Sequence, residues 1–378
     1  MSTKNIIIVF GTRPEAIKLV PIINEFRSKC LDKYNIVVCN TEQQKELSNQ
    51  TLSFFGLKAD INLSIMSPNQ TLASAQSKIM SKLSEVFAEQ SLDACFVQGD
   101  TITAFCGALV AFYNKIPVFH VEAGLRSNNL LEPFPEEALR QMLTRITELH
   151  FAPTQNAKIA LLAENVDKKR IFITGNTGID ALFQLSAQTI KDAANALTQK
   201  GINLNDKLVL ITVHRRENHG ERLGSILSAI TELANTYKTH QFVLPVHSNP
   251  NVKEKIYSIL SKKENVVLTS SLDYPELVVL MKNAKLVMTD SGGIQEEAPS
   301  FSVPILVMRY ETERKEGITI GFAKLVGADK EIILKEAKKI LDKDKSKNCI
   351  KINKNPYGDG KASEKIKVTV DRYFEGRI

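Results

Sequence analysis

The chain of 378 residues is longer than one hydrophobic core usually serves, and its hydrophobic content of 43% can fill two cores. Its net charge of +7 is mild and lies partly in a lysine-rich segment at 335–347, where the lack of interleaved aromatic residues favours a solvated helix face over a nucleic-acid-binding patch. No apolar run reaches the roughly 18 residues of a membrane-spanning helix, so the composition predicts two domains that bind neither nucleic acid nor membrane.

The first residues and the cysteines predict a cytoplasmic protein. No basic segment followed by an apolar one opens the chain, so no signal peptide is expected. The five cysteines include no C-x-x-C pair, and most lie in apolar contexts typical of buried thiols in a reducing compartment. The six histidines are scattered without the spacing of zinc ligands, and we therefore expect no metal site.

Short apolar runs alternate with longer helical patterns along the whole chain. The runs are continuously apolar, as expected for a parallel α/β sheet covered by helices on both faces. The first six predicted strands are Asn5–Phe10, Tyr34–Asn40, Asp93–Gln98, Pro117–Val121, Leu149–Ala152 and Arg170–Thr174. The second set comprises Leu208–Thr212, Gln241–Pro245, Val266–Thr269, Leu286–Thr289 and Pro304–Val307. The pattern therefore predicts two doubly wound domains, residues 1–175 and 176–360, joined near the turn-forming Gly175-Asn176-Thr177-Gly178.

The first strand is followed by the turn Gly11-Thr12 and then by Arg13 and Pro14 at the start of a predicted helix. The guanidinium of Arg13 could bind a diphosphate in a cleft, or it could be a structural group that binds loop carbonyls. No Gly-Lys-Ser/Thr follows the turn, and no G-x-G-x-x-G is present. The turn therefore disfavours both ATP and a nicotinamide cofactor.

A second turn, Ser291-Gly292-Gly293, directly follows a predicted strand and opens another helix. Glycine lets the backbone approach a ligand closely, and a helix N-terminus favours a phosphate. Glu297, early in that helix, could accept the hydroxyl protons of a ribose or simply complement the helix dipole. The Asp-Ser-Gly-Gly string is also found in chymotrypsin-like proteases, but the parallel α/β pattern disfavours that chemistry.

Acidic residues and a histidine also stand where predicted strands end. Asp100 and Glu122 each follow a strand of the first domain, and Glu136 opens a helix. His214 and Arg215 follow the first strand of the second domain. Together these groups could perform acid/base chemistry on a sugar carbon, although each alone is often only a helix cap. Because parallel sheets bind ligands at the carboxyl ends of their strands, we expect one shared cleft.

Several segments in the same order resemble the non-hydrolysing bacterial UDP-N-acetylglucosamine 2-epimerases almost from end to end. The shared motifs are Gly11–Lys18, Val97–Thr101, His120–Arg126, Pro133–Glu137, Pro245–His247 and Asn355–Gly360. The resemblance implies two Rossmann-like domains facing across a deep cleft, as in glycosyltransferase-B folds, with UDP bound by the second domain and the last helix, about 361–378, packed on the first.

The resemblance also implies the reaction. UDP-GlcNAc and UDP-ManNAc would be interconverted by elimination of UDP to 2-acetamidoglucal and its re-addition, without a metal or redox cofactor, in a homodimer that supplies ManNAc for surface polysaccharide. The implied catalytic residues are Asp100, Glu122, Glu136 and His214. The implied substrate-binding residues are Arg13, Lys18, Ser291, Gly292, Gly293, Glu297 and Arg314. A second, activating UDP-GlcNAc site would involve Gln43, Gln70, Arg215 and His247.

Several departures from the family pattern, of which Leu139 and Tyr310 bear most on the site, and four alternatives stay open. Leu139 stands where the family usually has Asn, and Tyr310 stands where it has Asp, so contacts at the sugar end could differ. The alternatives are a hydrolysing epimerase that releases ManNAc, a glycosyltransferase of the same architecture, an epimerase of a related UDP-sugar, and a catalytically silent UDP-sugar-binding protein.

Overall fold

The computed structural model describes residues 3–29, 32–67, 70–204, 207–246, 249–343 and 355–378. The chain forms two compact units: unit 1 comprises Met1–Gln184 and Tyr357–Ile378, and unit 2 comprises Leu185–Pro356. His247, two of the five cysteines (Cys30 and Cys349) and the end of the lysine-rich segment (344–347) lie outside the described residues.

Unit 1 contains a parallel sheet of seven strands in the order β3-β2-β1-β4-β5-β6-β7. The strands are β1 (Lys4–Phe10), β2 (Tyr34–Asn40), β3 (Ile61–Asn62), β4 (Ala94–Gln98), β5 (Val118–Val121), β6 (Leu149–Ala152) and β7 (Ile171–Ile173). β1 lies between β2 and β4, so the direction of winding reverses beside β1. The turn after β1 therefore lies where an open α/β sheet leaves room for a ligand.

The helices of unit 1 cover both faces of this sheet. They are α1 (Arg13–Lys29), α2 (Lys45–Phe54), α3 (Leu72–Glu89), α4 (Ile102–Tyr113), α5 (Glu136–Ile146), α6 (Gln155–Ala163) and α7 (Thr177–Gln184). Alternate residues of β1 point to opposite faces: Ile6 and Ile8 belong to one apolar cluster, and Ile7 and Val9 belong to another. Both faces are buried, which explains why the strands are apolar throughout.

Unit 2 repeats the arrangement with a parallel six-stranded sheet in the order β10-β9-β8-β11-β12-β13. Its strands are β8 (Leu208–Thr212), β9 (Gln241–Pro245), β10 (Val266–Thr269), β11 (Ala284–Thr289), β12 (Ile305–Val307) and β13 (Ala323–Leu325). Its helices are α8 (Ala187–Gln199), α9 (Glu221–Thr236), α10 (Pro250–Leu260), α11 (Tyr274–Asn283), α12 (Gly292–Glu297), α13 (Lys315–Thr319) and α14 (Lys330–Leu341).

The last helix, α15 (Ala362–Phe374), belongs to unit 1. Its N-terminus is capped by Asp180 of α7, which accepts hydrogen bonds from the backbone N–H groups of Ala362 (3.1 Å) and Ser363 (2.8 Å). Both α7 and α15 pack against α1. The division between the units therefore follows α7 and lies later than the 175/176 boundary drawn from the sequence.

The predicted α/β class with two doubly wound sheets is confirmed. The sequence analysis did not identify β3 and β13, which have two and three residues and each pair with only one neighbouring strand. A run this short carries no periodicity. Among the described residues, none of the helices combines the length and apolar character that a membrane span needs.

Two buried histidines lie side by side in unit 1. His120 of β5 and His150 of β6 are partners in the sheet register. Burial lowers the pKa of His120 to about 4 and that of His150 to about 3. The folded state therefore keeps both imidazoles neutral in mildly acidic solution.

We expect the free energy of unfolding to fall as the pH drops from about 6.5 towards 4, because the unfolded histidines take up protons that the folded ones exclude. Each histidine contributes a slope of about 1.4 kcal/mol per pH unit in this window. Urea unfolding at several pH values measures the slope. The His150→Gln variant should lose one histidine's share, and a variant with the slope of the parent protein would contradict this account.

Candidate active site

The turn after β1 is tied to the turn after β4 by the buried carboxylate of Glu15. Glu15 accepts hydrogen bonds from the backbone N–H groups of Gly11 (3.1 Å) and Thr12 (2.8 Å) and from the Thr101 hydroxyl (2.6 Å). Burial raises the pKa of Glu15 to about 7, whereas these donors favour its ionised form. One side chain thus positions the segments that contain Arg13 and Asp100.

Arg13 is the first residue of α1 and is half-buried. Its backbone N–H donates to Gln44 Oε1 at 3.1 Å, so a neighbouring loop caps this helix. Gly11 lets the turn after β1 lie close to Thr41 and Thr103, since a Cβ at this position would collide with their hydroxyls. The structure places Arg13 at the switch point of the sheet, and its binding of a diphosphate stays a prediction.

Glu122 follows β5 with a left-handed φ of 66°. Its Oε2 accepts a hydrogen bond from Asn176 Nδ2 at 2.9 Å and also contacts Lys18 Nζ. Both side chains of this ion pair are almost fully buried. The Lys18 ammonium therefore balances the charge of Glu122, and its predicted contact with the substrate stays a prediction.

Asp100 lies beside Glu122 at the same edge of the sheet. Gln98 and Val121 are register partners, so Asp100 and Glu122 leave neighbouring strands close together. Asp100 Oδ2 forms an ion pair with Arg140 of α5. Because α5 begins at Glu136, this pair links Asp100 to the helix that contains the third predicted carboxylate.

In unit 2, the imidazole of His214 contacts the buried carboxylate of Asp290. His214 Nδ1 lies 3.0 Å from Asp290 Oδ1, and the backbone N–H groups of His214 and Arg215 donate to Asp290 Oδ2 at 3.0 and 2.9 Å. Burial opposes ionisation of Asp290, but His214 and the hydrogen bonds hold its pKa at about 2. Since Nδ1 is engaged, Nε2 of His214 is the nitrogen available to a ligand.

The glycine turn follows directly. Ser291 occupies the N-cap position of α12, and its backbone N–H donates to Thr289 Oγ1 at 2.9 Å. A Cβ on Gly292 would lie 2.8 Å from Arg314 Cζ, whereas a Cβ on Gly293 would meet no heavy atom of the described residues within 4 Å. Gly292 therefore allows the guanidinium to approach, and Gly293 borders open space.

Arg314 and Glu297 are both buried behind this turn. Arg314 Nε donates to Glu296 Oε1 at 2.8 Å, and Nη1 contacts Glu313. Two carboxylates thus balance its charge, so Arg314 supports the glycine turn, and its contact with a nucleotide stays a prediction. Glu297 lies beside the phenol of Tyr274. Burial and this neighbouring carboxylate raise the pKa of Tyr274 well above its usual value, so the phenol is neutral.

The residues of the predicted activating site have separate local contacts. Gln43 Oε1 accepts from Thr103 Oγ1 at 3.0 Å, and Gln70 Oε1 accepts from the Ser67 backbone at 3.2 Å, both in unit 1. Arg215 belongs to unit 2, and His247 lies outside the described residues. A second ligand site therefore stays a prediction.

The two departures have different surroundings. Leu139 is buried in the apolar cluster that includes Leu143, so its side chain belongs to the core of unit 1. Tyr310 is exposed on unit 2, where Arg222 lies 5.0 Å from the centre of its ring and Gly327 leaves room beneath the ring. Among the described residues, Tyr310 thus packs against Arg222 and Gly327 on the surface of unit 2.

Sequence reasoning missed the side chains that hold the predicted groups. Asp290 could have been found from the sequence, because it lies between a strand and a glycine turn, where a carboxylate can orient a neighbouring histidine. Asn176 and Glu15 lie in motifs that the sequence analysis quoted, but nothing in the sequence joins them to Glu122 or Thr101. The missed positioning residues are Glu15, Glu137, Arg140, Asn176 and Asp290.

We expect Gly292→Ala to lower the free energy of unfolding of unit 2 by about 1–3 kcal/mol, because the new Cβ displaces the Arg314 guanidinium. Gly293→Ala is the matched control: it adds the same methyl group to open space within α12 and should change stability by less than about 1 kcal/mol. Thermal or urea unfolding compares the two. Equal losses would show that the Arg314 contact is not the cause.

The chain is similar to known proteins along almost its whole length. Residues 29–371 match the model of the family described as UDP-N-acetylglucosamine 2-epimerase. A UDP-N-acetylglucosamine 2-epimerase of Neisseria meningitidis is 44% identical over 372 residues, which cover 97% of this chain and 98% of the relative. That of Escherichia coli K12 is 42% identical over 365 residues, 96% of each chain.

Solved structures extend the likeness to three dimensions. The Neisseria meningitidis UDP-GlcNAc 2-epimerase bound to UDP-GlcNAc has a TM-score of 0.91 at 42% identity and covers 97% of this chain and 100% of that one. Sucrose-phosphate synthase of Thermosynechococcus elongatus, 13% identical with a TM-score of 0.64 over 99% of this chain and 100% of that one, shares the fold alone. The architecture is thus of the glycosyltransferase-B type, and the chain belongs to the UDP-N-acetylglucosamine 2-epimerase family, whose members are isomerases.

Proposed function

We propose that the chain interconverts UDP-GlcNAc and UDP-ManNAc without net hydrolysis and so supplies ManNAc units for surface polysaccharide. The observation that carries the proposal is the pairing of Glu122 with Lys18 and Asn176 and of Asp100 with Arg140 at one edge of a parallel sheet. The substrate is inferred from the relative whose structure was determined with UDP-GlcNAc.

The chemistry at C2 requires two proton transfers. A carboxylate removes the C2 proton as the C1–O bond to UDP breaks, which forms the C1–C2 double bond of 2-acetamidoglucal. A carboxylic acid then protonates C2 from the opposite face while a UDP oxygen adds to C1. Asp100, Glu122 and Glu136 are the candidates for these transfers. Asp100 and Glu122 each contact a buried cation, Arg140 and Lys18, that helps to orient the carboxylate.

The departing diphosphate gains negative charge and needs donors that are already oriented. His214 supplies Nε2, because Asp290 holds its Nδ1. Gly292 and Gly293 supply backbone N–H groups at the start of α12, next to Ser291, and the open space beside Gly293 allows a ligand to approach. In this proposal Glu297 accepts ribose hydroxyl protons.

Proton NMR of the protein with UDP-GlcNAc in D2O tests the reaction. We expect a mixture with UDP-ManNAc, deuterium at C2 and little free UDP. Glu122→Gln should lower kcat at least about 100-fold, because the amide cannot take up a proton. Glu164→Gln is the control, since Glu164 pairs with Arg126 elsewhere in unit 1. Accumulation of UDP and ManNAc would identify a hydrolysing enzyme, and an unchanged substrate would refute the proposal.

We propose in addition that the chain forms a homodimer through an apolar surface on α4, α5 and the segment before α5. Its large exposed side chains are Phe112, Tyr113, Leu130, Leu131, Phe134 and Met142. Helices α4 and α5 pack side by side, so these groups share one part of unit 1. Exposed apolar groups at such density are typical of an interface between protein molecules.

Light scattering coupled to size-exclusion chromatography tests the dimer. Phe112→Glu should shift the protein towards the monomer, because it places a charge in the apolar surface. Ile332→Glu, at a similarly exposed apolar position on α14 of unit 2, is the control and should leave the mass unchanged. A parent protein that elutes as a monomer would refute the dimer.

A further inference from the structure

Arg140 connects two carboxylates beneath the candidate site. It lies on α5, its Nη1 donates to Glu137 Oε2 at 3.1 Å, and its Nη2 contacts Asp100 Oδ2. Arg140 and Glu137 are almost fully buried. Removing a buried ion from water is costly unless its partners are well placed, so this geometry is strongly constrained.

Glu137 holds the guanidinium in one orientation. Its carboxylate also accepts hydrogen bonds from the backbone N–H groups of Ser127 (2.9 Å) and Asn128 (3.1 Å) and from Gln141 Nε2 (2.9 Å). With these donors on its oxygens, Glu137 has little freedom to move. The planar fork of Arg140 therefore presents a fixed donor to Asp100.

Asp100 reaches solvent, whereas Arg140 does not. The side chain of Asp100 is 25% exposed, and that of Arg140 is only 4% exposed. The guanidinium thus approaches Asp100 from the protein interior. It can act on a substrate only through Asp100, which makes it a positioning group rather than a group that touches the substrate.

The same contacts constrain the backbone around Glu136. Ser127 and Asn128 begin the segment that leads to Glu136, and their backbone N–H groups donate to the Glu137 carboxylate. Glu137 itself follows Glu136 directly in the chain. Loss of the Arg140–Glu137 pair would therefore loosen both sides of Glu136 as well as Asp100. Two of the three candidate carboxylates depend on one buried cation.

We infer that Arg140 is a positioning residue that sets the geometry of Asp100 and Glu136 for proton transfer at C2, an inference that rests on the proposed function. A lysine at this position would keep the positive charge. It would lose the planar fork that reaches two carboxylates at once, because an ammonium is a point charge on a flexible stem. Charge alone therefore does not satisfy the role.

The test compares Arg140→Lys with Arg126→Lys. Arg126 is the matched control: it is also buried on unit 1, and it donates to Glu164 Oε1 at 2.5 Å and to Thr144 Oγ1 at 2.8 Å. We expect Arg140→Lys to lower kcat about 100-fold, since small displacements of reacting groups cost that much. KM for UDP-GlcNAc and Kd for UDP should stay within about threefold, and Arg126→Lys should keep kcat within about threefold.

Two results would overturn the inference: a kcat for Arg140→Lys within about threefold of the parent, or an equal loss in Arg126→Lys. Glu137→Gln is the second variant if Arg140→Lys does not fold. It keeps the acceptor oxygen but removes the charge, and it should lower kcat with KM again little changed.

A thermal series tests the pair without any activity. The losses in Tm of Asp100→Asn and Arg140→Met should be markedly non-additive in the double variant, because they remove the same contact. Additive losses would overturn the inference. A parent protein inactive on UDP-GlcNAc would refute the proposed function instead, and the thermal series would then decide the Asp100–Arg140 pairing alone.

Discussion

The candidate site depends on one physical constraint: charged groups at the ends of buried strands must be paired where water is largely excluded. A buried charge without a partner costs several kcal/mol, so each such group has an ion partner or several hydrogen-bond donors. The pairs that meet this condition are Lys18 with Glu122, Arg140 with Asp100 and Glu137, His214 with Asp290, and Arg314 with Glu296 and Glu313.

This constraint separates the chemistry of the two units. In unit 1, Lys18 and Arg140 pair with the carboxylates of Glu122 and Asp100, and Asp100 is the more exposed member of its pair. In unit 2 the order is reversed: buried Asp290 lies behind an exposed imidazole, so a donor is presented. Unit 1 thus contains carboxylates paired with buried cations, and unit 2 contains an imidazole oriented by a buried carboxylate.

The predicted fold was largely correct because hydrophobic periodicity is a local property. The eleven predicted strands correspond to eleven of the thirteen strands of the two sheets, and the two that were missed are very short edge strands. The positions of Asp100, Glu122 and His214 after strand ends could be predicted for the same reason. A parallel sheet places the residues that follow its strands at the same edge of that sheet. The partners of these residues could not be read, because Asn176 lies far along the chain from Glu122, and Arg140 likewise from Asp100.

The sequence by itself determined the α/β class, the two sheets, the turns that follow their strands and the family resemblance. Only the tertiary structure decided that Lys18 contacts a carboxylate, that Arg314 is balanced by two carboxylates, and that Leu139 is part of the core. The physical reason is that strand and turn formation depend on neighbouring residues, whereas the pairing of a charge depends on which distant segments the sheet order brings together.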